Sequence, residues 1–461
     1  MRTALTLRSF ALVAVEDGLI LGALLAAMTL RFGSDVGSHL SGEHQWARIL
    51  LVVFGTQLSL YYHDLYDLKV LNSRRELMIR LCQALGVASI LLAGVYYLFP
   101  DLILGRGVFA LYVLVVIVAV VLWRLVYSTM MSTKSLSVRI LLVGSGDLAR
   151  KVYREVSERE SLGFQVVGCL ASDPKKRLER SVELPPVLGG YEMLREQGAR
   201  ADIDRVVVAI SDRRGKFPVR ELLELRIGGK QVEDGCAFYE ELTGRLLVEY
   251  LRPSQLIFGE GFSKGAFTLT LKRAVDCLAS GLGLVVSAPL WLVFPLLIKL
   301  DSPGTVFYRQ QRVGERGRPF DVLKFRSMCA DAEAQSGAVW ATTGDARVTR
   351  VGTLMRKTRI DEIPQLLNVL KGEMSFVGPR PERPVFVEQL AVQIPYYLER
   401  HSVKPGLTGL AQVKYAYGAT VEDAVEKLRF DLYYIKNMGF WMDLSIIFET
   451  VKVVLFGKGA R

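Results

Sequence analysis

The chain has few of the residues from which metal centres and disulfide frameworks are built. Its 461 residues include five cysteines and four histidines. Cys82, Cys169, Cys236, Cys277 and Cys329 are scattered and contain no C-x-x-C pair. That excludes a secreted disulfide scaffold and a zinc ribbon. His39, His44, His63 and His401 are too dispersed for a histidine-rich metal centre. No G-x-x-x-x-G-K-[ST] string occurs, which excludes the P-loop NTPases. None of the 18 tyrosines has a lysine four residues later, so the Tyr-x-x-x-Lys of short-chain Rossmann enzymes is missing. A secretory signal is not expected, because Phe10–Leu30 exceeds an h-region and no A-x-A-like site follows it. Disorder is excluded by a hydrophobic fraction of 51% with 10% aromatics.

What is present is concentrated. Four apolar runs fill the first quarter: Phe10–Leu30, Trp46–Tyr62, Leu81–Phe99 and Val108–Tyr127. A spanning helix needs about 20 apolar residues, which the second run falls short of. They predict a four-helix transmembrane bundle over residues 1–132. Lys69, Arg74, Arg75 and Arg80 lie between runs two and three, Arg2 and Arg8 precede run one, and Arg124, Lys134 and Arg139 follow the core of run four. By the positive-inside rule both ends, and everything after Ser132, are expected in the cytoplasm. Glu16 and Asp17, costly inside the first run, are expected to face the bundle or a partner helix.

Residues 137–255 read as a Rossmann-like α/β domain. Val138–Val143 is a buried strand that runs into Gly144-Ser-Gly146-Asp147-Leu-Ala149 and then a helix, the G-x-G-x-x-A setting of a nucleotide fingerprint. Gly144, Gly146 and Ala149 are therefore candidate nucleotide-binding positions, with Asp173 placed to meet a ribose. Further strands are expected at Phe164–Leu170 and Val206–Ile210, with helices near Tyr191–Glu196 and Val219–Ile227. Alternation of this kind predicts a parallel sheet. Asp202-Ile-Asp204 has a D-x-D spacing, but its place before a strand reads as a solvated turn.

A fifth apolar run, Ala274–Leu300, is flanked by Lys272-Arg273 and Lys299 and contains Ser287-Ala-Pro289 and Pro295. A proline in a helix interior removes a hydrogen bond and kinks the chain, and basic residues at both ends suit one anionic leaflet. The run is expected to be re-entrant over 272–300, broken at Ser287 and Pro289.

Residues 256–461 carry 27 Lys+Arg against 20 Asp+Glu, most of the net +11. Arg309–Arg326 holds six basic residues and Arg347–Arg359 five. Such blocks suit an anionic substrate or a membrane surface. In Arg356-Lys-Thr-Arg359-Ile-Asp361-Glu362-Ile-Pro364, Pro364 is tolerated only in a first turn. Asp361 and Glu362 should therefore sit ionised at the positive end of a helix. An ionised Asp361 beside Arg356 and Arg359 has the character of a nucleophile toward phosphorus, and two carboxylates with phosphate oxygens suit Mg²⁺. Gly378-Pro379-Arg380-Pro381 presents a guanidinium suited to a phosphate.

The string DEIPQLLNVLKGEMSFVGPRP resembles the signature of the bacterial polyprenyl-phosphate sugar-1-phosphate transferases, the large monotopic phosphoglycosyl transferases. Lys272-Arg273…Asp276, Asp301-Ser-Pro-Gly, Tyr308-Arg-Gln-Gln-Arg-Val-Gly314, Lys324-Phe-Arg326-Ser-Met328 and Lys404-Pro-Gly-Leu-Thr-Gly-Leu-Ala-Gln412 extend the resemblance over 265–461. The stretches Tyr415–Asp423 and Leu455–Arg461 depart from the Asn-Gly-Arg common after Ala-Gln-Val in that family and are similar to its exopolysaccharide-priming subfamily of exosortase-bearing bacteria. The resemblance implies an α-rich monotopic catalytic domain at 256–461 in a bacterial inner membrane, multi-pass, with catalysis in the cytoplasm. It implies transfer of a sugar-1-phosphate from a UDP-sugar, UDP-glucose or UDP-galactose, to undecaprenyl phosphate. UMP leaves and an aspartyl-phosphosugar forms on the way. Asp361 would attack phosphorus, and Glu362 with Asp361 would hold Mg²⁺. Arg356, Arg380, Lys324, Arg326 and Arg359 would bind substrate. Membrane lipid and a second copy of the chain are further candidate partners; nucleic acid is not. The competing expectation, a membrane-tethered nucleotide-sugar dehydratase, requires the absent Tyr-x-x-x-Lys.

Overall fold

A computed structural model describes residues 7–35, 45–63, 65–66, 74–103, 105–131, 137–159, 163–172, 184–200, 202–210, 217–329, 347–415, 418 and 420–455. The chain divides into two compact units, 2–238 and 239–461.

In the first unit the four apolar runs become α1 (Leu7–Phe32), α2 (Gln45–Tyr62), α3 (Arg74–Leu98) and α4 (Arg106–Met131). Ile20, Leu24, Met28, Val52, Leu81, Leu85, Val116 and Val120 share one core. Outward positions such as Leu50, Phe54, Ile90, Leu114 and Leu122 are apolar and exposed. Among the described residues, four helical stretches are long and apolar enough to cross a membrane: Val13–Phe32, Met78–Leu98, Gly107–Arg124 and Ala266–Asp301. α2 is not one of them. Its 18 residues rise only about 27 Å.

Arg124 is corrected from a flanking charge to a core one. Its Nε and Nη2 meet the Glu16 carboxylate at 2.6 and 3.0 Å, with both side chains fully buried. The Tyr66 hydroxyl donates to Glu16 at 2.6 Å, and Arg124 Nη1 donates to the Leu65 carbonyl at 2.6 Å. A charge pair this dry persists only when its remaining hydrogen bonds are made. Arg124 therefore contributes nothing to the positive-inside count. Glu16 faces the bundle, as expected.

The rest of this unit is a parallel sheet. β1 (Val138–Val143), β2 (Phe164–Ala171), β3 (Val187–Gly190), β4 (Arg205–Val208) and β5 (Gln231–Asp234) lie in the order β3-β2-β1-β4-β5. α5 (Asp147–Ser157), α6 (Leu194–Ala199) and α7 (Val219–Ile227) alternate with them. β3 and β5 were not legible as strands. Each is four residues long at a sheet edge and largely half-buried, so neither carries an apolar run. Asp204 accepts the Arg139 backbone N–H at 2.7 Å, and Asp202 pairs with Arg139 and Arg200. The D-x-D is thus a turn that anchors β1.

The second unit is organised on α8 (Ala266–Asp301), 36 residues of uninterrupted helix with Pro289 and Pro295 inside it. The expected break at Ser287 and Pro289 is corrected: helical backbone continues through both, and Pro289 removes one backbone donor without ending the helix. Asp276, Ser280, Ser287, Phe294 and Ile298 form its buried face. Leu278, Leu282, Val285, Val286, Leu292, Leu296 and Leu300 are exposed on the other. The helix touches its own unit at both ends and in the middle. Lys272 donates to the Val377 carbonyl and to Asp443 at 2.9 and 2.8 Å, and Gly283 lies against Leu366. Phe294 and Ile298 pack with Phe325 and Met355, and Asp301 accepts the Val351 N–H at 3.0 Å. Ser287 donates to the Leu284 carbonyl at 3.4 Å and accepts from Trp291 at 3.3 Å.

Around α8 stand the hairpin β6 (Phe307–Val313) and β7 (Pro319–Phe325), then α9 (Arg350–Thr358) and α10 (Gln365–Lys371). Next come the short parallel pair β8 (Ser375–Val377) and β9 (Gly406–Thr408), and α11 (Val421–Asn437) and α12 (Phe440–Leu455). Leu246 and Val248 belong to the core of this unit together with Val377, Leu428 and Tyr434. The unit is therefore longer at its start than the expected 256–461.

Candidate active site

The site is built where α9 stops. Arg359 ends that helix in the left-handed region, at φ 57°. A non-glycine residue there costs on the order of 1 kcal/mol, and such strain is held in place only by its surroundings. It turns the chain into the single 3₁₀ turn Ile360–Glu362, after which Pro364 caps α10. The expected helix start near Asp361 thus becomes a short turn followed by the helix. Asn368, on α10, fixes this segment to β7. Its amide donates to the Asp321 carbonyl at 2.8 Å, and its oxygen accepts the Leu323 N–H at 3.1 Å. A buried amide satisfied in this way sets register, and nothing in the local pattern marked it.

Glu362 is buried among cations. Its Oε1 accepts from Lys324 at 3.0 Å and from Arg380 at 2.8 Å, and Arg359 lies 3.6 Å from Oε2. Burial disfavours its charge, but Arg380, Lys324 and Arg359 prevail and hold it well below the usual carboxylate range. Asp361 takes part in none of these ion pairs. Burial pushes its carboxyl up to about 6, and the Glu362 charge adds to that, while Lys324, Arg356 and Arg380 pull the other way. The two adjacent carboxylates are therefore driven apart, one firmly ionised and one poised near neutrality.

Arg356 donates to Ser327 Oγ at 3.1 Å and acts on Asp361 through its charge. Lys324, Arg356, Arg359 and Arg380 thus converge on the pair. Arg326 does not. Its guanidinium donates to the carbonyls of Ser302 and Pro303 at 2.7 and 2.8 Å and to Ser302 Oγ at 3.0 Å. β7 ends at Phe325, so strand alternation does not carry Arg326 beside Lys324. Ser287 is at the edge of the site and Pro289 lies in the helix body. A cavity of about 290 Å³ opens beside Glu362 and Arg359, lined by Gly283, Ser287, Leu366, Phe376, Thr450 and Val454.

In the α/β domain, Gly144 has φ +125°, and a Cβ there would lie 2.5 Å from the Ala209 carbonyl oxygen. This glycine permits close packing between the ends of β1 and β4. Gly146 caps α5, Ala149 is buried on it, and Asp173 lies outside the described residues.

The bacterial sugar transferase family model matches residues 267–457, and a CoA-binding domain model matches 62–217. The UDP-N-acetylgalactosamine-undecaprenyl-phosphate N-acetylgalactosaminephosphotransferase of Aeromonas hydrophila is 47% identical over 222 residues, 48% of this chain and 52% of that protein. The undecaprenyl-phosphate glucose phosphotransferase of Komagataeibacter xylinus is 35% identical over 335 residues, 71% of this chain and 61% of that protein. The chain thus spans little more than half the length of these two relatives. A UDP-glucose:undecaprenyl-phosphate glucose-1-phosphate transferase of Klebsiella pneumoniae is 33% identical over 333 residues, 70% of this chain and 69% of that protein. With the carboxylate pair, its cations and the α8 platform all inside the matched region, the chain belongs to the bacterial sugar transferase family.

Proposed function

We propose that the chain transfers a sugar-1-phosphate from a UDP-sugar, UDP-glucose or UDP-galactose, to undecaprenyl phosphate. It would act in the bacterial inner membrane, with the 239–461 unit in the cytoplasm. The observation that carries the reading is the split pair: a firmly ionised Glu362 that gathers cations, next to a buried Asp361 that ionises near pH 6 outside those ion pairs. The Asp361 carboxylate attacks the phosphorus bonded to the sugar, and the phosphoanhydride bond breaks with its electron pair leaving on UMP. The lipid phosphate then attacks the same phosphorus and regenerates the carboxylate. Arg380 and Lys324 hold the phosphate charge that develops. Arg359 and the apolar cavity beside it suit a lipid phosphate arriving along α8. An Mg²⁺ would take one or two carboxylates here and leave its remaining positions to water and phosphate, in exchange for the Lys324 and Arg380 contacts that Glu362 now makes. Asp361 and Glu362 would hold it, and when bound it would neutralise charge on the diphosphate.

The test is UMP release across a panel of UDP-sugars, including UDP-N-acetylgalactosamine, with and without undecaprenyl phosphate. Release only with lipid, and no label left on the protein without it, would count against the covalent route. The pH profile is a second measurement. Because the ionised form attacks, the rate should rise about tenfold per unit below pH 6 and level off above about 7. Removing a cation that holds the carboxyl down, as in Lys324→Met, should move the midpoint upward. A profile flat from pH 5 to 8 would remove Asp361 from the role.

The helix α8 is read as re-entrant. A straight 36-residue helix is about 54 Å long against about 30 Å of hydrocarbon. Its ends and its middle all rest on one polar unit, while the opposite face is apolar. Both ends should therefore open to the cytoplasm. With the five native cysteines replaced, Glu260→Cys and Arg316→Cys should both resist an impermeant thiol reagent added to intact cells. Labelling at Arg316→Cys alone would mean that α8 spans.

A further inference from the structure

The Gly378-Pro379-Arg380-Pro381 segment has little means of fixing itself. Two of its four residues lack an N–H, and the carbonyl oxygens of residues 379–382 all accept from outside it. Pro379 and Glu382 accept from the backbone N–H groups of Gly406 and Val313, at 2.8 and 3.0 Å. Arg380 and Pro381 accept from guanidinium groups, Arg400 Nη2 at 3.0 Å and Arg312 Nη1 at 3.0 Å.

Arg400 is the more telling of the two. Its side chain is only 5% exposed. Nη1 donates to the Tyr397 hydroxyl at 2.8 Å, and Nη2 donates to Asp431 at 2.8 Å as well as to the Arg380 carbonyl. Asp431 is itself buried on α11. Burying such a pair is costly, and a hydrocarbon of the same volume would fill the space with less penalty. What a hydrocarbon lacks is a rigid fork that serves several acceptors in fixed directions. Here that fork grips the backbone of Arg380 on one side while the Arg380 side chain reaches Glu362 at 2.8 Å on the other.

We propose that Arg400, oriented by Asp431 and Tyr397, is a positioning residue that aims Arg380 at the phosphate site. The inference rests on the role given to Arg380 above. The hydrogen bonds of Arg400 go to Tyr397, Asp431 and the Arg380 carbonyl and not to Asp361 or Glu362, so its effect on the site passes through Arg380.

A double-mutant cycle on the full-length chain in membranes tests this, with UMP release, KM and thermal unfolding all measured. Arg380→Ala should lower kcat about 10²-fold, as for the loss of one oriented donor. Arg400→Lys keeps the charge but not the fork, and should lower kcat about 10- to 10²-fold, the scale of a misplacement of about 1 Å. In the Arg380→Ala background the same change should have almost no further effect on kcat. Equal losses in the two backgrounds would show general support of the fold and overturn the proposal. If Arg400→Lys shows no unfolding transition, Tyr397→Phe removes one hydroxyl only and is read in the same cycle. It should lower kcat about threefold, a loss of under 1 kcal/mol, and only where Arg380 is present. A wild-type chain that releases no UMP from any UDP-sugar would instead end the transferase reading. The cycle would then be read on UDP affinity, where coupling between Arg400 and Arg380 supports positioning and independence refutes it.

Discussion

Asp361→Asn is expected to abolish turnover and, at neutral pH, to make the protein more stable. The first effect follows from the proposed chemistry, because an amide cannot donate the carboxylate electron pair to phosphorus. The second follows from linkage. Burial raises the Asp361 carboxyl from 3.8 to about 6, so the folded state holds its proton more tightly than the unfolded chain. Stability tied to this group is therefore fully present below pH 4 and is lost as pH rises through 6. Two units correspond to about 3 kcal/mol of penalty at pH 7.5. An amide of the same shape carries no charge to desolvate and should recover part of it, up to about 3 kcal/mol. The wild type should thus unfold at a lower temperature than Asp361→Asn at pH 7.5, and the difference should vanish near pH 4. Labelled UDP-sugar should mark the wild type and not the variant. A variant that is inactive but less stable at pH 7.5 would mean that the Asp361 charge is favourable where it sits, contrary to the burial argument.

Elements with one dominant physical signal were readable from the residues. α1, α3, α4 and α8 are long apolar runs, β1 is apolar at every position but Arg139, and Pro364 limited where a helix could start. What was hidden depends on partners remote in the chain. Arg124 looks like a flanking charge until Glu16, 108 residues away, is brought beside it. Arg326 looks like a partner of Lys324 until β7 ends one residue too soon. Arg312 and Arg400 meet the Gly-Pro-Arg-Pro carbonyls across 69 and 20 residues. Their only local trace is a basic residue in a segment that folds inward. The one available signal was the pair of prolines in the Gly-Pro-Arg-Pro turn, since a segment with two missing donors and four carbonyls must be held by something else. Gly406 is similar. A Cβ there would lie 2.1 Å from Gly378 N, so it marks a crossing of two backbones that no periodicity encodes.

Glu362→Gln should do the opposite of Asp361→Asn in stability while also removing most activity. Glu362 is the anion that Lys324, Arg380 and Arg359 share. Neutralising it leaves three partly exposed cations facing one another. Breaking a buried pair by removing one partner typically costs about 3–5 kcal/mol, and a glutamine oxygen returns only part of the hydrogen bonding. The carboxylate is held well below its ordinary range, so its contribution is present above about pH 4.5 and lost as pH falls through the folded-state value. The destabilisation should be largest at neutral pH and should shrink in acid. Catalysis should fall by at least about 10²-fold, because Lys324 and Arg380 lose the group that orients them. One signature separates this from simple damage. The Glu362 charge is one of the causes that raise the Asp361 carboxyl. Its removal should therefore shift the midpoint of the residual pH–rate profile below 6, the direction opposite to that expected for Lys324→Met. Residual activity with an unchanged midpoint would show that the two carboxylates do not feel each other, and the split pair would no longer account for the reactivity of Asp361.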